Sequence, residues 1–270
     1  MKQKVGIVGV GYVGGALRNW FEKNKEHYEL FLYDTGKKLG SLREVNQADT
    51  VFVSVPTPFH MEAVSGKSGY DDSAVVESLE RIKDGKTVVI KSTIVPTSTE
   101  RFQERFPEKT ILFNPEFLRA KTANEDFLHP DRQIVGYANE AGKRAAGDVL
   151  RMLPEAPYAR IMRAREAEMI KYFNNNFLAT RVVFANQMYD ICSALGIDYA
   201  AVKDGAAQDA RIGGSHFDVL HDGYRGYGGA CLPKDVRALL AFAKQADVDV
   251  RFLETLEQVN EDLRKAIRES

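Results

Sequence analysis

Residues 5–8 form an apolar run, and directly after it the chain reads Gly9-Val10-Gly11-Tyr12-Val13-Gly14. Three glycines at this spacing, between a strand and a helix, leave little choice of fold. The first permits a tight turn, the second lets backbone approach a pyrophosphate, and the third lets helix and strand pack closely. The helix N-terminus then presents free N–H groups and a positive dipole end to the anion. Asp34 follows twenty residues after Gly14, at the end of a second apolar run. A carboxylate there accepts hydrogen bonds from a ribose 2′-hydroxyl and repels a 2′-phosphate, which favours NAD over NADP. Lys37 and Lys38 lie close enough in sequence to keep NADP as a second reading.

Further apolar runs at 29–33, 50–55, 87–91, 110–113 and 133–136 alternate with helical stretches such as 14–25 and 73–83. Continuous rather than alternating apolar residues imply strands covered on both faces. The expected class is α/β, a Rossmann-type doubly wound parallel sheet, followed by a helical domain with a long central helix. The boundary falls near 162, giving an NAD-binding domain at 1–162 and a helical central or dimerisation domain at 163–270. Residues 163–195 keep helical spacing without a turn signal until Gly196. Residues 198–208 and 234–246 read as further helices, with a glycine-rich loop from 213 to 229 between them.

A net charge of -1 provides no global field for nucleic acid or an anionic membrane. Two cysteines, Cys192 and Cys231, are too few for a disulfide framework. No apolar stretch reaches spanning length, and the N-terminus lacks a signal-peptide pattern, so a cytoplasmic protein is expected.

Cys231 stands in Gly226-Tyr227-Gly228-Gly229-Ala230-Cys231-Leu232-Pro233-Lys234-Asp235. Pro233 favours helix entry, and a helix N-terminus with a nearby ammonium favours a thiolate over a thiol. Cys192 sits on an apolar helical face and reads as a packed structural thiol. Lys171 and Asn175 are four apart on the long helix and point the same way, as an oxyanion site needs. A solvated pair on an exposed face fits them equally well.

At these residues the chain resembles the UDP-glucose/GDP-mannose dehydrogenase family. The resemblance runs in order through GVGYVG at 9–14, FVSVPTP at 52–58, KSTIVPTST at 91–99, NPEFLR at 114–119 and HPDRQIVG at 129–136. It continues through AEMIKYFNNNFLAT at 167–180, ARIG at 210–213 and GYGGACLPKD at 226–235. It implies twofold oxidation of the 6-hydroxymethyl of a nucleotide sugar to a carboxylate, with NAD as acceptor. Cys231 would attack the aldehyde, and the thiohemiacetal would become a thioester that water hydrolyses. Lys171 and Asn175 would stabilise alkoxide-like intermediates, Glu116 would assist hydrolysis, and Thr93 and Asp235 would hold water or help proton transfer. Gly9, Gly11, Tyr12, Val13, Gly14, Asp34, Lys38, Pro56, Thr57 and Thr93 would line the cofactor. Substrate would meet Glu116, Phe117, Leu118, Lys171, Asn175, Tyr227 and Gly228. Arg211 would reach the sugar site of a neighbouring subunit, and the 163–195 helix would form a homodimer.

Some features depart from the family. Relatives ordinarily continue into a third, UDP-binding domain, whereas this chain ends at Ser270. A compact natural form, a smaller sugar substrate, and a third domain made separately or removed are all open. Ala120 replaces a frequent acid, Gln187 a frequent Glu, and Thr97-Ser98 a common Pro-Gly turn. The loop from 213 to 225 carries His216, Asp218, His221 and Asp222, whose spacing suits a solvated loop or substrate contact better than a metal; no metal is expected. Two other functions compete. A hydroxyacid or sugar-phosphate dehydrogenase oxidises once and has no use for Cys231. A silent dinucleotide-binding subunit has no use for Thr93, Glu116, Lys171, Asn175, Cys231 and Asp235 together.

Overall fold

The apolar run ahead of the glycine loop forms β1 (Gln3–Val8), the inner strand of an eight-stranded sheet in the first of two units into which the chain divides. The computed structural model describes residues 1–60, 69–221 and 223–265. The first unit comprises Met1–His60 and Tyr70–Lys171, and the second takes up the chain at Tyr172.

In the first unit β1 is joined by β2 (Tyr28–Asp34), β3 (Leu39–Gly40), β4 (Thr50–Val53), β5 (Thr87–Ile90), β6 (Thr110–Phe113), β7 (Arg132–Tyr137) and β8 (Tyr158–Arg163). Their order is β3-β2-β1-β4-β5-β6-β7-β8. The order reverses between β1 and β4, and crevices for ligands open at the carboxyl ends of strands at such a point. Pairing is parallel except for β3 on β2 and β7 on β6. The doubly wound, parallel-dominated sheet is as expected, and β3 and β7 are its antiparallel exceptions. Residues 114–131 do not cross back over the sheet, so β7 is entered from the end at which β6 leaves.

Helices α1 (Tyr12–Lys23), α2 (Leu42–Val45), α3 (Ser73–Arg81), α4 (Ser98–Arg105), α5 (Ala123–Leu128) and α6 (Glu140–Met152) complete the unit. Successive strand residues feed two separate cores. Val51, Val53, Val88, Ile90 and Phe113 pack with Val75, Leu79 and Phe102. Phe52, Val89, Leu112 and Val135 pack with Leu17, Phe21 and Val149 on the other face. Both faces being dry is why the strands read as unbroken apolar runs.

Helix α7 (Ala164–Leu195) has 32 residues and begins in the first unit. The second unit adds α8 (Tyr199–Ala207), a hairpin of β9 (Leu220–His221) and β10 (Tyr224–Arg225), α9 (Leu232–Gln245) and α10 (Arg251–Lys265). Its core joins Ala179, Val182 and Val183 of α7 to Tyr227, Val236 and Leu256. Phe173, Phe177, Phe184, Ile191 and Leu195 of α7 are exposed. Steps of four and seven residues place them on one stripe of the helix.

Candidate active site

The three loop glycines answer to different neighbours. Gly9 has φ +85, and a Cβ there would strike the Ser54 carbonyl. A Cβ on Gly14 would strike the carbonyl of Gly9. At Gly11, the N-cap of α1, no protein atom lies within 4 Å of a Cβ position. A Cβ at Gly11 would thus meet no part of the chain, and the first turn of α1 carries no acidic residue to oppose an anion.

Asp34 closes this loop from the end of β2. Its Oδ2 accepts from the Val10 N–H at 2.7 Å and its Oδ1 from the Lys37 N–H at 2.8 Å. Burial pushes the carboxyl up, but the amide bonds and the Lys37 ammonium outweigh it and hold Asp34 below the usual range. Each oxygen keeps a lone pair for a ribose hydroxyl. Lys37 donates from Nζ to the Val10 carbonyl at 2.5 Å, while Lys38 is exposed in the following turn with φ 51. Tyr12 is exposed and Val13 half-buried on α1. Pro56 is exposed beyond β4, and Thr57 donates its hydroxyl to the Thr93 carbonyl at 2.8 Å.

After β5 and β6 the chain builds a buried polar cluster. Lys91, whose side chain is 1% exposed, places Nζ 2.9 Å from Glu116 Oε2 and 2.7 Å from Asn114 Oδ1. Glu116 Oε1 accepts from the N–H groups of Phe117 and Leu118 at 2.8 and 3.1 Å. Lys171 donates from Nζ to the Glu116 carbonyl at 2.6 Å. Glu168, one turn earlier on α7, accepts from the Thr97 N–H at 2.6 Å, the Thr99 N–H at 2.9 Å and the Thr99 hydroxyl at 2.5 Å. Thr97 has φ 73, a left-handed conformation costly for a β-branched residue. Glu168 thus fastens the strained turn that follows Thr93. Burial pushes its carboxyl up, against the pull of these bonds. Lys91, Asn114 and Glu168 were not among the expected site residues, although a lysine ending the apolar run Thr87-Val88-Val89-Ile90 is a visible signal.

In the second unit Cys231 is exposed at the N-cap of α9, with Pro233 just inside the helix. Asp235, 1% exposed, accepts from Asn175 Nδ2 at 2.5 Å and meets Lys234 Nζ at 2.8 Å. Asn175 is therefore engaged rather than solvated. Tyr227 is buried with its hydroxyl donating to Glu257; burial and that carboxylate push the phenol up. Gly228 is half-buried beside it. Arg211 is exposed and pairs with Asp209 at 2.6 Å. Its loop is fastened by Arg181, which donates to the carbonyls of Ile212, Gly213 and Ser215 at 2.6, 2.8 and 2.9 Å. Asp222 lies outside the described residues. Among the described residues no group of three or more His, Cys, Asp or Glu side chains is placed to hold a metal ion.

Residues 33–153 match the model of the UDP-glucose/GDP-mannose dehydrogenase family, NAD binding domain, and residues 165–262 match that of its central domain. The chain belongs to this family. UDP-glucose 6-dehydrogenase of Pseudomonas aeruginosa is 38% identical over 235 residues, which are 79% of this chain and 48% of that protein. UDP-glucose 6-dehydrogenase AglM of Haloferax volcanii is 34% identical over 233 residues, 81% of this chain and 53% of that protein. The chain spans about half the length of the curated relatives it matches. Among solved structures, a UDP-glucose dehydrogenase from Pyrobaculum islandicum superposes with a TM-score of 0.82 at 27% identity, covering 97% of this chain and 68% of that one. The family's NAD binding domain gives NAD as the cofactor.

Proposed function

We propose that this chain performs the twofold, NAD-dependent oxidation of a nucleotide-sugar C6 hydroxymethyl to a carboxylate, as a UDP-glucose 6-dehydrogenase-like enzyme. The observation that carries the reading is Cys231, exposed at the start of α9, with the Asn175–Asp235 pair held one helical turn away. NAD, when bound, accepts the hydride of each oxidation. The Cys231 sulfur adds to the aldehyde carbon, keeping it from escaping as a hydrate, and gives a thiohemiacetal. Loss of a second hydride leaves a thioester, whose hydrolysis frees the carboxylate and restores the thiol. Asn175 supplies an amide donor and Lys171 an ammonium for the alkoxide stages. Glu116 and Asp235 supply carboxylates, and Thr93 a hydroxyl, for water and proton handling.

The partner is a second copy of the chain. The exposed apolar stripe of α7 supports this, since contiguous apolar surface marks an interaction face. Arg211, exposed on its loop, would then meet the neighbouring copy's sugar. A cytoplasmic setting suits two free thiols, and among the described residues no helix is long and apolar enough to cross a membrane.

The test is the amount of NADH formed per sugar, measured with UDP-glucose, other UDP- and GDP-sugars and sugar phosphates in parallel. A ratio of about two is expected from a thioester route. A ratio of about one would favour the single oxidation of a hydroxyacid-type dehydrogenase. NAD binding without NADH would leave a silent dinucleotide-binding subunit.

A further inference from the structure

Cys231 lies four residues beyond Tyr227 and four before Asp235. Asp235 is fixed by Asn175. The segment on the other side of the thiol is irregular and rich in glycine, with Gly226 and Gly229 at φ 76 and 75. Such a segment has much conformational freedom to lose and holds one shape only if something pins it.

The pin comes from α10. The amide of Asn260, 1% exposed, takes both main-chain groups of Tyr227. Its Oδ1 accepts from the Tyr227 N–H at 2.6 Å, and its Nδ2 donates to the Tyr227 carbonyl at 3.2 Å. Arg264 donates to the same carbonyl at 3.2 Å. One turn earlier Glu257 accepts the Tyr227 hydroxyl and, at 2.5 Å, the Arg237 Nε–H. Arg237 belongs to α9, the helix that Cys231 caps. The grip also fits a glycine at 226, since a Cβ there would lie 2.5 Å from Asn260 Oδ1.

We propose that Asn260 is a positioning residue for Cys231, holding the thiol at the start of α9 through the backbone of Tyr227. The proposal rests on Cys231 being the nucleophile. An unpinned loop lets the sulfur leave the place at which it meets the aldehyde carbon, and alters its surroundings at the start of α9.

The experiment alkylates the full chain and its Asn260→Ala and Asn260→Asp variants with iodoacetamide under native conditions. Labelling of each cysteine is followed separately by peptide mass, beside steady-state NADH formation. Cys192, 3% exposed, reports any unfolding. Asn260→Ala is expected to change the rate of Cys231 labelling by on the order of threefold or more, with Cys192 still protected. The kcat falls about tenfold to a hundredfold, while KM for NAD stays within about twofold. Asn260→Asp, which keeps the acceptor for the Tyr227 N–H and loses the donor, falls between the two and carries the test if the alanine variant unfolds. Labelling of Cys231 at the unaltered rate, with Cys192 protected, overturns the proposal. So does exposure of Cys192 in both variants, which would make Asn260 a folding residue. If the unaltered chain forms no NADH, the proposed reaction fails, and the labelling comparison still decides the positioning.

Discussion

Nζ of Lys91 lies 2.9 Å from Oε2 of Glu116, with the lysine side chain 1% exposed. Removing one partner of a buried pair strands the other charge. Lys91→Ala is therefore expected to lower stability by about 3–5 kcal/mol, read from urea unfolding. Glu116→Gln keeps the acceptor oxygen and should cost less. An alanine variant as stable as the unaltered chain would show that the pair contributes nothing to the fold.

Cys231→Ala removes the carrier of the aldehyde. NADH per nucleotide sugar is expected to fall from about two to at most about one, with NAD affinity unchanged. A ratio that stays at about two would exclude the thiohemiacetal and thioester route.

Glu168 gives a pH dependence with a definite sign. Its folded pKa is raised above the ordinary 4.5, chiefly by burial. The folded state then holds the proton more tightly than the unfolded chain. The contribution is full below the ordinary value and is lost as pH rises through the raised one. Glu168→Gln should flatten that slope in urea midpoints measured across the window. It should also cost about 1–3 kcal/mol, because an amide cannot accept from Thr97 and Thr99 with both of its ends. An unchanged slope would mean that another group titrates there.

Phe184 sits in the middle of the exposed α7 stripe, 57% exposed. Phe184→Glu puts a charge into the face assigned to a second copy. The unaltered chain is expected to sediment as a dimer and the variant as a monomer with an unchanged circular dichroism spectrum. A monomer in both cases would remove the dimer from the account.

What was legible in the sequence was set by backbone geometry or by local spacing. The glycine loop, Asp34 at the end of β2 and the proline-led helix behind Cys231 all depend on neighbours within a few residues. Helix α7 spans Ala164–Leu195 against an expected 163–195, because no glycine or proline interrupts it. Strand β8 was not marked by its sequence. As an edge strand it leaves Tyr158 and Ile161 exposed and lacks the apolar run of its neighbours. The reversed direction of β7 has no signature, since an apolar run reads alike both ways. Glu168 and Asn260 look like solvated polar residues in the sequence. Each is buried only because partners 33 to 71 residues away satisfy it.

The loop that opens the chain carries a division of labour among its three glycines. At 9 and 14 the chain's own backbone forbids a side chain, whereas at 11 only empty volume lies within reach. A single methyl group would therefore report different failures at different positions. At 9 or 14 it would damage the host's architecture, and at 11 it would leave the host standing, so that any loss there would belong to the guest alone.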